Sequence, residues 1–118
     1  MIYYAKIKIY SEGQPPFYLQ SLQTFGIDER DTAHNVETML HGWQDVSNYE
    51  ILKISRQPIH LTKYVLSVFF KYQNGSTKTL KFNVNGENEG EAGELTKEII
   101  AGWRHLVSYH IVNIVRHK

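Results

Sequence analysis

The chain has 118 residues, of which 42% are hydrophobic and 21% charged, and its net charge is +1 at pH 7. This length suits one compact domain, and the mixture of apolar and charged residues argues against disorder. The small net charge provides no strong field for nucleic acid or an anionic membrane, and the absence of cysteine excludes disulfides, thiolate catalysis and cysteine-ligated zinc. No apolar run approaches the ~20 residues of a membrane span, and the first residues lack the apolar stretch of a signal peptide. The composition therefore predicts a soluble cytoplasmic protein.

The first half of the chain predicts two strands, a helix and a third strand. Residues 2–10 alternate apolar and polar side chains, which is typical of a half-buried strand. A turn at residues 11–16, which contains Gly and Pro, leads to a second strand at residues 17–25 and so forms a hairpin. Acidic residues then favour the start of an amphipathic helix at residues 31–45. A third strand follows at residues 49–56, and aliphatic residues on both of its faces favour a central position in a sheet.

The second half predicts the same order of elements. Residues 64–72 and 77–84 alternate as strands on either side of Asn74-Gly75, a dipeptide that favours the type I′ turn of a hairpin. A polar loop then precedes a helix at residues 92–105, and the last strand occupies residues 109–116.

A repeat of 60 residues links the two halves. Residues 39–56 (MLHGWQDVSNYEILKISR) align without a gap on residues 99–116 (IIAGWRHLVSYHIVNIVR). The identical pairs are Gly42 and Gly102, Trp43 and Trp103, Tyr49 and Tyr109, Ile51 and Ile111, Ile54 and Ile114, and Arg56 and Arg116. Because the offset is about half of the chain, the sequence predicts a tandem duplication of a ββαβ unit.

This duplication defines the expected fold. We predict an α+β protein with pseudo-two-fold symmetry, in which six mostly antiparallel strands carry two helices on one face. The repeats are residues 1–58 and 61–118 of a single domain, because halves of about 60 residues are marginal alone. A right-handed crossover is expected to place the third strand of each half beside the first. The linker between the halves reaches only ~17 Å, which leaves exchanged third strands, one sheet and two sheets as alternatives.

The two Gly-Trp pairs lie within the predicted helices. Trp43 and Trp103 fall on the apolar stripes, so packing in the core is the expected role, with ligand stacking as the alternative. Gly42 and Gly102 would each destabilise a helix interior by ~1 kcal/mol relative to Ala. Their presence in both halves indicates a close approach of helix and sheet, or a bend.

Candidates for metal binding and catalysis are weak. His34 and His41 lie two helical turns apart with Glu37 between them, and zinc uses such ligands, but the matching positions of the second half lack histidine. Five acidic residues between positions 87 and 98 suit a cation or a basic partner, but they also stabilise a helix N-terminus. No nucleophile elbow or Gly-rich phosphate loop is present. We therefore predict no metal, no cofactor and no enzymatic activity.

The lysines suggest where the protein makes contacts. Most of them fall on strands opposite the apolar faces, where tyrosines accompany them, and an arginine ends the third strand of each half. Such a face can hold single-stranded nucleic acid, because rings stack on bases and cations meet phosphates. Lysine on exposed strands also prevents aggregation between sheet edges, without any binding role. The predicted binding residues are Tyr4, Lys6, Lys8, Tyr10, Arg56, Lys81 and Arg116.

These observations favour a non-enzymatic binding protein. The expected mechanism is recognition of a macromolecule by the helix-free face of a sheet, and a protein is the favoured partner. The alternative is a single-stranded nucleic-acid-binding protein that uses Lys, Arg and Tyr on the sheet. The chain is expected to be a monomer or a homodimer that does not bind membranes.

Overall fold

A computed structural model describes residues 1–11, 16–44 and 46–117. Over these residues the chain forms six strands and two helices, and it belongs to the α+β class. Their order is ββαβ twice, as the sequence predicts. The elements are β1 (Ile2–Tyr10), β2 (Phe17–Phe25), α1 (Glu29–His41), β3 (Asn48–Ser55), β4 (Thr62–Tyr72), β5 (Thr77–Gly86), α2 (Glu89–Ala101) and β6 (Leu106–Arg116).

The chain divides into two compact units, Met1–Leu61 and Thr62–Lys118. Each unit has one three-stranded antiparallel sheet, with the orders β2-β1-β3 and β5-β4-β6 in the described residues. The third strand therefore lies beside the first, as predicted, and of the three arrangements left open the chain adopts two sheets. The prediction of a central third strand is wrong, because β3 and β6 are edge strands. Within the described residues, neither helix is long and apolar enough to cross a membrane.

The helices begin earlier and end earlier than their apolar residues indicate. The Asp28 carboxylate accepts a hydrogen bond from the Asp31 amide (2.8 Å), and Asn88 accepts one from the Glu91 amide (2.9 Å). The Asp31 carboxylate in turn accepts from the Ile27 amide, at 2.9 Å. These caps satisfy amide groups that an α-helix leaves without partners. The first turns are polar, so apolar periodicity does not reveal them.

The glycines of the Gly-Trp pairs cap the helices and do not lie inside them. Gly42 and Gly102 are the C-cap residues, and each Trp follows its helix. The Trp43 amide donates to the Leu40 carbonyl at 3.0 Å, and the Trp103 amide donates to the Ile100 carbonyl at 2.8 Å. The same tight last turn thus precedes both indole rings. The prediction that the two Gly-Trp pairs lie inside the helices is wrong.

The strand register shows that, in the first strand of each unit, the offset between matching positions is one residue larger than the 60-residue offset of the repeat. The buried residues Tyr3, Ala5, Ile7 and Ile9 match Tyr64, Leu66, Val68 and Phe70, which is an offset of 61. The offset returns to 60 in the next strand because the second hairpin is one residue shorter. Its Tyr72 amide donates to the Ser76 carbonyl (2.9 Å), whereas in the first hairpin the Ser11 amide donates to the Pro16 carbonyl (2.9 Å). Of the predicted turn at residues 11–16, residues 12–15 lie outside the described part of the chain.

Both tryptophans pack against core residues, as predicted, and in each case the residues that they contact belong to the same unit. Trp43 is partly buried against a cluster of Ala5, Ile7, Ile9, Val36 and Leu40. Trp103 stacks on Phe70 with ring centroids 5.0 Å apart, and it lies 5.6 Å from the Phe82 ring. The apolar face of each helix thus covers one face of the sheet in its own unit, and we call the opposite face of that sheet the helix-free face.

Candidate functional site

The predicted binding residues of the first strand lie on the helix-free face, as expected from their alternation. However, this face is largely covered. The Lys6 side chain is only 7% exposed, and Leu19, which lies directly opposite Lys8, is 1% exposed. The Lys8 ammonium lies 4.4 Å from the Phe17 ring centroid and 5.4 Å from the Tyr10 ring centroid. Tyr4, Lys8 and Tyr10 are half-buried, so this face offers a partner less surface than the sequence indicates.

The two predicted arginines lie on a different face from these residues. The Arg56 guanidinium lies 5.2 Å from the ring centroid of Tyr3, which belongs to the helix-covered face. Arg116 is directly opposite Tyr64, the matching residue of the second unit, and directly opposed residues share a sheet face. Both arginines are exposed. The structure therefore separates them from the Tyr4–Tyr10 series, and their role in binding stays a prediction.

The helix-free face of the second sheet is more exposed. Phe69 is 40% exposed on β4, and Val115 of β6 is 50% exposed and lies opposite Val65. Lys81, the predicted contact residue on β5, lies opposite Ser67 and is exposed. Two further exposed lysines of β4 share this face. We call this surface the second-sheet face, and it comprises Lys63, Val65, Phe69, Lys71, Lys81 and Val115.

The two units carry opposite charges. Residues 1–61 hold five Lys or Arg against seven Asp or Glu, a net charge of −2, and residues 62–118 hold eight against five, a net charge of +3. All five acidic residues of the second unit lie between positions 87 and 98, in or just before α2. Within the described strands β4, β5 and β6 there is no Asp or Glu. The small net charge of the whole chain thus hides a basic second sheet. The sequence shows lysines on strands, but the contrast between the units emerges only when the charge of each half is counted separately.

A concave region lies between α2 and the edge strand β6, on the helix-covered side of the second sheet. This groove has a volume of about 640 Å³. We call it the helix–strand groove, and its lining residues are Glu89, Gly90, Gly93, Glu94, Lys97, Tyr109, His110, Ile111 and Ile114. The signal in the sequence is a pair of glycines, Gly90 and Gly93, inside a helix whose counterpart has Arg30 and Ala33 at the matching positions.

Within the described residues, no group of three or more His, Asp or Glu side chains is arranged to hold a metal ion. Burial raises the pKa of the half-buried Tyr49 hydroxyl above its ordinary value of 10.0, and the nearby Glu37 carboxylate raises it further. Its ring lies 6.2 Å from the His41 ring. A tyrosine whose neutral form is favoured suits packing in this place more than proton transfer near neutral pH.

No protein-family model matches the chain, and no curated protein matches it either.

Proposed function

We propose that this is a non-enzymatic binding protein that recognises a protein partner through the second-sheet face. The observation that carries the proposal is an exposed apolar centre with a basic rim. Val115 is exposed directly opposite Val65, Phe69 is exposed four residues further along β4, and lysines flank them without any carboxylate on the described strands.

This arrangement supports a protein interface for two reasons. Binding energy in protein interfaces concentrates in a few central residues, often aromatic, that a polar rim shields from water. Phe69 holds that central place, and Lys63, Lys71 and Lys81 form the rim. Because charge complementarity steers partners together, the patch on the partner is expected to carry Asp and Glu around an apolar centre.

The second candidate is binding of single-stranded nucleic acid. The specific observation that favours it is the same absence of Asp and Glu from the described strands of the second sheet, since phosphates would meet only cations there. However, such proteins stack successive bases on several rings. In the described part of the second-sheet face, Phe69 is the one Phe, Tyr or Trp, and His110 directly opposite it is the one imidazole, so few rings are available for stacking and the protein partner is favoured.

The test is affinity capture from an extract of the source organism, with and without nuclease, using the intact chain as bait. We expect a protein partner that resists nuclease, and Phe69→Ala is expected to weaken its binding by roughly 30-fold, about 2 kcal/mol. The matched control is Phe25→Ala, which truncates a Phe that is 63% exposed in the other unit. Binding that nuclease abolishes, and that Lys63→Glu with Lys81→Glu removes while Phe69→Ala does not, would identify nucleic acid instead. Unchanged binding by both Phe69→Ala and the Lys63→Glu/Lys81→Glu double variant would exclude this face.

A further inference from the structure

The edge strand β6 is the starting point for a second site. It is eleven residues long, none of them is buried, and within the described residues its only neighbour in the sheet is β4. An edge strand presents a row of backbone N–H and C=O groups that need hydrogen-bond partners. An extended segment that pairs with such an edge obtains its affinity from these groups, and it obtains specificity from the pockets that receive every second side chain.

The helix–strand groove provides such a pocket on the same strand. Tyr109, Ile111 and Ile114 line it from β6, and they lie opposite the buried residues of β4. From α2 it is lined by positions 90, 93, 94 and 97, whose three- and four-residue spacing places them on one side of a helix. Gly90 and Gly93 present no side chains there. Gly90 is exposed, whereas Gly93 is buried beside the Ile114 side chain, so the helix backbone and Ile114 form the floor of the groove. A segment paired with β6 would lie ~4.8 Å from it, with alternate side chains directed into this groove.

The charges of the groove define the occupant further. Glu89 and Glu94 line its helix side. The Lys97 ammonium lies 3.4 Å from the Glu94 carboxylate, and the two side chains are 50% and 73% exposed. An ion pair this exposed contributes little to stability, so a cation from a ligand can replace Lys97 at small cost. The carboxylates repel phosphate, whereas they suit a Lys or Arg of a polypeptide.

We propose that the helix–strand groove binds an extended polypeptide segment that adds a strand to β6, places a small apolar side chain against Gly93 and directs a Lys or Arg to Glu89 and Glu94. This site goes beyond the proposed function, because it uses the opposite face of the sheet and a ligand of opposite charge. The two sites meet at β6, because the intervening side chains of an added strand would lie beside Val115 on the second-sheet face, but the sites differ in the sheet face that they use and in the charge of the ligand that they bind.

The test uses a displayed library of random dodecapeptides selected against the intact chain, followed by anisotropy titration of the enriched peptides. We expect enriched sequences with alternating small apolar residues and a Lys or Arg. Gly93→Ala is expected to weaken binding about tenfold, equivalent to 1.4 kcal/mol. The new methyl group would be 3.8 Å from the Ile114 Cδ1, which is an ordinary contact, and Ala favours helix more than Gly, so this variant should fold at least as stably as the parent.

Two further comparisons separate strand addition from other binding. N-methylation of the peptide at the alternate residues that face β6 should abolish binding, whereas N-methylation of the intervening residues should leave it unchanged. Glu94→Lys should weaken basic peptides about tenfold and be compensated by a peptide in which Glu replaces the basic residue. Phe69→Ala should have no effect, which distinguishes this site from the second-sheet face.

Three results would overturn the inference. One is the absence of any enriched peptide. Another is enrichment of peptides whose binding is indifferent to Gly93→Ala and to Glu94→Lys. The third is self-association through β6, detected as a dimer by sedimentation that excludes all peptides, since the occupant would then be a second copy of the chain.

Discussion

Ile9 and Phe70 occupy equivalent positions in the two units, yet they build different cores. Beside Trp43 the first unit places aliphatic residues, whereas beside Trp103 the second unit places the rings of Phe70 and Phe82. Both units nevertheless keep the same helix caps and the same last turn before the Trp. The comparison teaches that the chain path is set by caps, turns and alternation, whereas the side chains that fill the core can vary in shape.

The helix-free faces differ even more. Where the first unit has the buried residues Lys6 and Leu19, the second has Ser67, which is half-buried, and Thr79, which is exposed. The first unit has a net charge of −2 and the second a net charge of +3. A surface that is exposed, basic and partly apolar thus belongs to the second unit, and this difference places the proposed interface there.

The strongest way to test this difference is to reverse one lysine on each helix-free face. We expect Lys6→Glu to lower the free energy of unfolding by roughly 3 kcal/mol, because the new carboxylate would lose most of its hydration at a position that is only 7% exposed. Lys81→Glu should change it by less than ~0.5 kcal/mol, because Lys81 is exposed. Denaturant titration followed by fluorescence measures both values. Equal effects of the two reversals would mean that the faces are equally covered.

The next expected loss of unfolding free energy arises where each helix approaches the strand before it. A methyl group on Gly26 would lie 2.8 Å from the Thr32 amide nitrogen and would also meet the Thr32 hydroxyl, whereas one on Gly86 would lie 3.0 Å from the Ala92 amide nitrogen. We therefore expect Gly26→Ala to cost roughly 3 kcal/mol and Gly86→Ala roughly 1 kcal/mol.

The natural difference between Thr32 and Ala92 provides the control. Adding Thr32→Ala to Gly26→Ala should remove the clash with the hydroxyl and bring the cost closer to that of the second unit. In a Trp103→Phe background, Trp43 reports on the first unit alone, since the chain has two tryptophans. If Gly86→Ala costs more than Gly26→Ala, the closer approach assigned to the first unit is wrong.

Much of the fold could be predicted from patterns that act locally. Alternation located the strands, and Asn74-Gly75 located the second hairpin. The predicted type I′ turn is wrong, because Gly75 has a positive φ (85°) but Asn74 does not. The Gly75 amide donates to the Tyr72 carbonyl (3.0 Å), so the central residues of the turn are Gln73 and Asn74, and Gly75 follows them. The α+β class and the double ββαβ order followed from these elements and from the repeat. The ends of the helices did not, because polar caps at Asp28 and Asn88 carry no apolar periodicity.

Properties that depend on distant residues were not accessible from the sequence. The aliphatic residues of β3 and β6 suggested central strands, yet these strands lie at sheet edges where most of their side chains remain at least partly exposed. Lys6 alternates like a surface residue, and only the folded chain shows it buried. The helix–strand groove likewise arises from two glycines on a helix meeting an edge strand more than ten residues later, a relation that no local pattern contains.

The smallest expected effect is a change in the pH dependence of stability at Tyr49, the residue of β3 whose ring lies near the His41 ring. Burial is the larger cause of its raised pKa, and Glu37 is the smaller one, whereas the matching position in α2 carries Lys97. Below pH 10 the tyrosine is protonated in both the folded and the unfolded chain, so its full contribution to stability is present there. As the pH rises above 10, the unfolded chain ionises first, and stability is lost until the folded pKa is passed. Denaturant titrations at several pH values from about 9 to about 11 should therefore show a shallower loss for Tyr49→Phe than for the parent chain. Glu37→Gln should reduce the loss by a smaller amount, because it removes the smaller cause, and Glu29→Gln on the same helix controls for net charge. A loss as steep in Tyr49→Phe as in the parent would show that other groups cause the alkaline sensitivity.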